Sequence, residues 1–178
     1  TGGIVTREPL ARSLADILRA TGREIGYVAP NAIIADRYQV HDAVCQRRED
    51  PRTWTDHVND QCIVIGWAGY DEKVGWLPPE HYLAHAFRQA LTDSCRSGRL
   101  KGQGPDGKLL VRVRENPDDW RVEHVLVTVQ QLPDIELVDL TTLVVEDLRD
   151  TYARLRANDR RWTARFEDIE VLINPNGP

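Results

Sequence analysis

Methionine is absent from this 178-residue sequence, and lysine nearly so: Lys73, Lys101 and Lys108 stand among twenty arginines. With no initiator present, Thr1 is not expected to be the natural start, and any lysine in a glycine-rich segment stands out. Cysteine is also scarce. Cys45, Cys62 and Cys95 are odd in number, widely spaced and lack a C-x-x-C pair, which excludes a zinc ribbon or a disulfide framework. They read as thiols packed as small apolar groups in a reducing compartment, hence a cytoplasmic location. No apolar run approaches the ~18 residues of a membrane span, and Thr1-Gly2-Gly3 lacks the basic and apolar segments of a signal peptide, so no membrane partner is expected. A concentrated basic face is missing too. There are 28 acids against 23 bases, a net charge of -5, and the densest cluster, Arg160-Arg161 with Arg165, is interrupted by acids. Binding a phosphate backbone needs the opposite balance, so a nucleic-acid partner is excluded.

What is present is an ordinary globular composition, 41% hydrophobic and 29% charged, fit for one domain or two small ones. Apolar residues at helical spacing predict helices over Glu8–Thr21, Glu80–Ser97 and Val138–Arg156. The first is expected to start at Thr6 and stop at Gly22, and the second to stop at Gly98. Strands are predicted over Tyr38–Cys45, Cys62–Trp67, Lys108–Glu115, Arg121–Gln130 and Ile169–Ile173. Leu109, Val111 and Val113 alternate with Leu110, Arg112 and Arg114, and Asn116-Pro117-Asp118-Asp119 is turn chemistry that makes the third and fourth strands a hairpin. Helices separated by strand pairs predict an α+β fold, with helices packed on one face of mainly antiparallel sheets. The last strand is expected to end the chain without a partner.

Two segments invite a functional reading. Gly102-Gln103-Gly104-Pro105-Asp106-Gly107-Lys108 matches G-x-G-x-x-G, but a dinucleotide site needs a strand before and a helix after, and here the order is reversed. What survives is a helix-to-strand connection in which Lys108 reads either as a solvated loop lysine or as a point charge for a phosphate. Asp60 closes the polar stretch Asp50–Gln61 that leads into the apolar run at Cys62; it either caps turn amides or receives a ligand ammonium. His81 and His85 are spaced as metal ligands on a helix, but no third ligand is evident and no metal site is assigned.

Those same places resemble S-adenosylmethionine synthetase. Asn59-Asp60-Gln61-Cys62-Ile63-Val64-Ile65-Gly66-Trp67-Ala68 is similar to the family's G-D-Q-G-x-M-F-G-Y-A run, and Leu83-Ala84-His85 to its Leu-Ala-His helix. Pro105-Asp106-Gly107-Lys108 resembles its P-D-x-K loop, Val125–Gln131 its V-x-S-x-Q-H strand and Ile173-Asn174-Pro175-Asn176-Gly177 its I-N-P-[TS]-G turn. Gly2–Thr6 and Arg23–Tyr27 are similar to G-E-I-T-T and R-E-I-G-Y.

The resemblance implies methionine adenosyltransferase activity: ATP and L-methionine become S-adenosylmethionine, with phosphate and pyrophosphate released and Mg²⁺ and K⁺ assisting. It implies Lys108 as the catalytic cation facing the triphosphate. Asp60 would hold the methionine ammonium, Gln46 would lie near the methionine site, and Asp106 would orient the adenosine. It also implies a homo-oligomer, dimer or tetramer, with sites between subunits. Residues 1–178 correspond to the middle of such a protein, with 1–70 part of the central and gating-loop segment and 71–178 a helix–hairpin–helix–strand segment. The pattern departs in two places: Gly3 stands where the family carries an acid, and the loop between Gln46 and Asp60 is shorter. These departures motivate a second reading, a non-catalytic ATP-binding or regulatory relative that keeps the fold.

Overall fold

The computed structural model describes residues 12–41, 66–67, 69, 71–133 and 135–177. The chain divides into two compact units, Thr1–Ala29 with Ile33–Gly66, and Pro30–Ala32 with Trp67–Pro178.

In the first unit, α1 (Leu14–Ile25) starts at Ser13, whose hydroxyl oxygen accepts the Asp16 amide at 3.1 Å. It ends at Gly26, whose φ of 114° turns the chain left-handed while its N–H returns to the last carbonyls. Both expected boundaries shift. Thr6 lies outside the described residues, and Gly22 sits inside the helix, buried. A Cβ there would come within 2.7 Å of the Ala35 Cβ and 3.0 Å of the Tyr38 ring, so Gly22 serves close packing and Gly26 serves the stop. A single 3₁₀ turn, Ala35–Arg37, precedes Tyr38, and Arg19 donates to the Tyr38 carbonyl at 3.2 Å. The strand expected over Tyr38–Cys45 is irregular backbone through His41, with its remainder outside the described residues. Of the strand expected over Cys62–Trp67, residues 62–65 lie outside them. Gly66 and Trp67 form no strand, and Trp67 is exposed.

The second unit contains α2 (Pro79–Arg96), β1 (Gln103–Asn116), β2 (Asp119–Gln131), α3 (Leu137–Asn158) and β3 (Glu170–Ile173). Pro79 occupies the first turn of α2, where its missing N–H costs nothing, and Gly98 (φ 73°) follows its end. β1 and β2 form the expected hairpin, closed by Pro117-Asp118. β3 is not without a partner. α3 carries the chain back so that β3 lies parallel to β2, pairing Val125 with Val171 and Val127 with Ile173. The sheet order is β1-β2-β3, antiparallel then parallel, and the architecture is α+β.

Both helices cover one face of this sheet. Leu83 and Phe87 of α2, and Leu140, Val144, Leu148 and Tyr152 of α3, are buried against Val122, Val125 and Val127 of β2. The buried side of β2 changes phase at a bulge: Arg112 opposes His124 but Val113 opposes Val122, leaving Glu123 as the extra residue. Without it, Trp120 and Val122 would face away from the helices that cover Val125 and Val127. Glu123 itself turns out to meet Arg112 at 3.3 Å and Arg114 at 2.5 Å.

The hairpin end is fastened by Arg161. Its guanidinium lies 3.7 Å from the centroid of Trp120, pairs with Asp159 at 2.5 Å and also with Asp71. Trp120 meets Trp162 edge-on at 5.0 Å, and Tyr152 meets Trp162 at 6.3 Å. Burial pushes the Tyr152 hydroxyl up to about 12. The hydrogen bonds from Arg161 hold both Asp71 and Asp159 below the ordinary value of 3.8. Carboxyls depressed in the folded state contribute stability above that ordinary value and lose it as pH falls through their lowered folded values. Arg161→Ala is therefore expected to destabilise the fold most near neutrality. In urea titrations followed by circular dichroism, the gap to the unmodified protein should narrow as pH falls below that ordinary value.

Candidate functional site

The glycine-rich segment belongs to β1 rather than to a connection ahead of it. The helix-to-strand connection ends at Gly102, which is left-handed (φ 89°) and packs so tightly on Ile135 that a side chain would collide with it. Gly104 sits under a reciprocal amide pair: Gln130 donates to the Asn31 carbonyl oxygen at 2.7 Å, and Asn31 donates back at 3.3 Å. A Cβ on Gly104 would run into the Gln130 amide and come within 2.9 Å of Asn31 Nδ2. These glycines make room for backbone and amides, which explains the motif without a phosphate cradle. Between the register shift at Gln103–Gly107 and the bulge opposite Arg112, the strand pairs regularly, Lys108 opposite Thr128 and Leu109 opposite Val127.

Asp106 and Lys108 are therefore two residues apart on one strand, both exposed. They border an open cavity of about 620 Å³ between the start of β1 and α2, within the range that takes a small organic ligand. Leu109, Val127 and Val129 line its sheet side. Across from them, His81, His85 and Arg88 line it from α2, and Arg88 Nη2 lies 3.5 Å from His85 Nδ1. Asp106 and Lys108 therefore border the cavity from the β1 strand, and Arg88 and two imidazoles line its α2 wall. Cys95 also lines it. Burial, together with the charge of Asp147, pushes its thiol upward, so it stays protonated and unreactive at neutral pH.

Of the residues expected to act, the structure brings Asp106 and Lys108 to one cavity; Asp60 and Gln46 lie outside the described residues. His81 and His85 are on the same wall, as their spacing required. Among the described residues no group of three or more His, Cys, Asp or Glu side chains could hold a metal ion. Arg88 was not anticipated. Its signal was the i, i+4, i+7 series His81, His85, Arg88, which marks one polar stripe of a helix. The amide pair, joining Asn31 to Gln130 across 99 residues, left no local signal at all.

The family profile of the S-adenosylmethionine synthetase central domain matches residues 55–178. The sequence is similar to the S-adenosylmethionine synthase of Cutibacterium acnes, 29% identical over 199 residues, covering 98% of this chain and 47% of that protein. It is similar also to the S-adenosylmethionine synthase of Lacticaseibacillus casei, 27% identical over 183 residues, covering 92% of this chain and 44% of that protein. The chain thus spans less than half the length of these curated relatives. Its fold is similar to the solved structure of an unusual S-adenosylmethionine synthetase from Campylobacter jejuni, with a TM-score of 0.69 at 16% identity over 97% of this chain and 45% of that one.

Gly104→Ala is expected to break the Asn31–Gln130 pair and cost about 1–3 kcal/mol, the penalty of stranding the buried Asn31 amide and its half-buried partner. In a double-mutant cycle by urea unfolding, Asn31→Ala should cost less in the Gly104→Ala background than alone.

Proposed function

The chain belongs to the S-adenosylmethionine synthetase family, and on that premise we propose that it forms part of a methionine adenosyltransferase converting ATP and L-methionine to S-adenosylmethionine, phosphate and pyrophosphate. The observation that carries this reading is the pairing of Asp106 and Lys108 at the mouth of the α2–β1 cavity. In the reaction the methionine sulfur attacks C5′ of ATP. A C–S bond forms as the C5′–O bond breaks, and that electron pair leaves on the triphosphate. Lys108 is the compact cation that meets the growing negative charge, and Arg88 on the α2 wall adds a second positive charge. Asp106 accepts hydrogen bonds from the adenosine and so orients C5′ for in-line attack. On the sequence resemblance, Asp60 receives the methionine ammonium and Gln46 contacts the methionine. Water then splits the triphosphate into phosphate and pyrophosphate. Mg²⁺ and K⁺ are the counter-ions such a triphosphate calls for; no described residue is assigned to them, and no step above runs through them.

The acting unit we propose is a homo-oligomer. On the sheet face away from the helices, Leu110, Leu126 and Leu172 stand in cross-strand register, with Leu110 53% and Leu172 36% exposed. Beside them run Arg112, His124 and Glu170, the last two 2.9 Å apart. A second copy turned by a two-fold axis sets the Arg112 edge of one face against the Glu170 edge of the other and covers both leucine rows. Among the described residues no helix is long and apolar enough to cross a membrane, in keeping with a place in the cytoplasm, where ATP is supplied.

Lys108→Ala is expected to lower kcat by about 10²- to 10³-fold and to leave stability within about 0.5 kcal/mol, since the side chain is exposed. The measurement is S-adenosylmethionine formation by the full gene product. ATP-analogue binding with no turnover, indifferent to Lys108→Ala, favours instead the non-catalytic ATP-binding or regulatory relative that Gly3 and the short loop suggest. Leu110→Asp is expected to shift the protein toward monomer in sedimentation experiments.

A further inference from the structure

A second cavity, of about 650 Å³, lies between α2 and α3, and no step proposed above uses it. Three polar side chains that line it are buried: Ser94 at 7%, Asp147 at 7% and Thr151 at 6% exposure. Thr151 Oγ1 is satisfied by Arg154 at 3.0 Å. The other two are not. Asp147 Oδ1 has Arg99 Nε at 3.3 Å, but Asp147 Oδ2 and Ser94 Oγ are buried without a partner. A carboxylate oxygen and a hydroxyl left bare in a low-dielectric groove call for a donor.

Arg99 fills that role poorly. It is half exposed and spreads over three acids, 3.3 Å from Asp147, 3.4 Å from Glu146 and 3.9 Å from Asp150. Charged N–H···O bonds usually close to about 2.7–2.9 Å. Around the groove, Asp93, Glu146, Asp147 and Asp150 outnumber Arg99 and Arg154, so the local field favours a further cation. The described residues hold no cluster of three metal-ligating side chains. One bare carboxylate oxygen and one bare hydroxyl on the lining of the same groove suit a positive group that also donates N–H bonds.

We propose that the α2–α3 groove binds a small organic amine as its ammonium, received by Asp147 and Ser94, with Arg99 as the resident cation that the amine displaces. Of Asp147, Arg99 reaches only Oδ1, from the rim, so a smaller and more concentrated charge can take its place on the carboxylate. The site is independent of the transferase reading, since none of its residues enters that chemistry.

The test is calorimetric titration of the full chain with n-propylammonium, with tetramethylammonium as the control of equal charge but no N–H. Saturable one-to-one binding of propylammonium alone is expected. Asp147→Asn should weaken it about tenfold or more, the value of a charged hydrogen bond. Ser94→Ala should weaken it less. Arg99→Ala should strengthen it, and propylammonium should restore the melting temperature that this variant loses. The proposal is overturned if tetramethylammonium binds equally well, if Arg99→Ala weakens propylammonium binding, or if neither protein binds it saturably. Should Asp147→Asn fail to fold, the opposite signs expected for Ser94→Ala and Arg99→Ala still decide the matter.

Discussion

Everything in the second unit depends on β2 presenting one continuous apolar face while pairing along both edges. It bonds antiparallel to β1 and parallel to β3, so neither edge is left open. Its buried residues are Trp120, Val122, Val125 and Val127, whose numbering switches from even to odd. Strict alternation would turn half of them to the wrong side. The bulge at Glu123 absorbs the mismatch, and the residue it expels becomes the acid between Arg112 and Arg114. Burial on β2 in turn gives α2 and α3 a common floor, and the long α3 returns the chain in the direction that a parallel β3 needs.

The start of β1 inherits its shape from that arrangement. Gln130 and Asn174 both work at the far end of β2. Gln130 clasps Asn31 over Gly104, while Asn174 accepts the Val129 amide at 2.8 Å and donates to the Val129 carbonyl at 2.9 Å. Asn174 adopts φ 43°, a conformation asparagine tolerates better than most residues, and so continues the ladder where β3 stops. The turn Ile173-Asn174-Pro175-Asn176-Gly177 is thereby a structural clamp, and the glycines near Asp106 are close-packing positions. Asp106 and Lys108, the pair that the proposed reaction uses, stand exposed on β1, whose backbone pairs with β2 along one edge.

Buried polarity in this unit is tied in some places and bare in others. Arg161 neutralises Asp159 and Asp71 and at the same time covers Trp120, so one side chain joins the 3₁₀ turn at Glu72–Val74, the hairpin and the chain after α3. Between α2 and α3 the balance is different. Asp147 and Ser94 lie buried in the seam between two helices, and one arginine serves three acids there. A seam built only for stability would carry leucine at such positions.

α2, α3 and the hairpin were legible from local pattern. Leu83, Leu140, Val144 and Leu148 recur at helical spacing, Asn116–Asp119 is turn chemistry, and Leu109, Val111 and Val113 alternate to one side. These features depend on side chains a few residues apart, where backbone geometry alone sets which face each one takes. Lys108 stood out by its rarity, and Asp106 by the run that resembles a family motif. Tertiary structure decided the rest. Gly22 became a packing glycine because Ala35 and Tyr38 come to it; β3 found a partner because α3 turns back; the glycine-rich run became strand because Gln130 and Asn31 close over it. Each of these contacts joins segments distant in sequence, and a strand or helix face carries no local sign of which distant group will cover it.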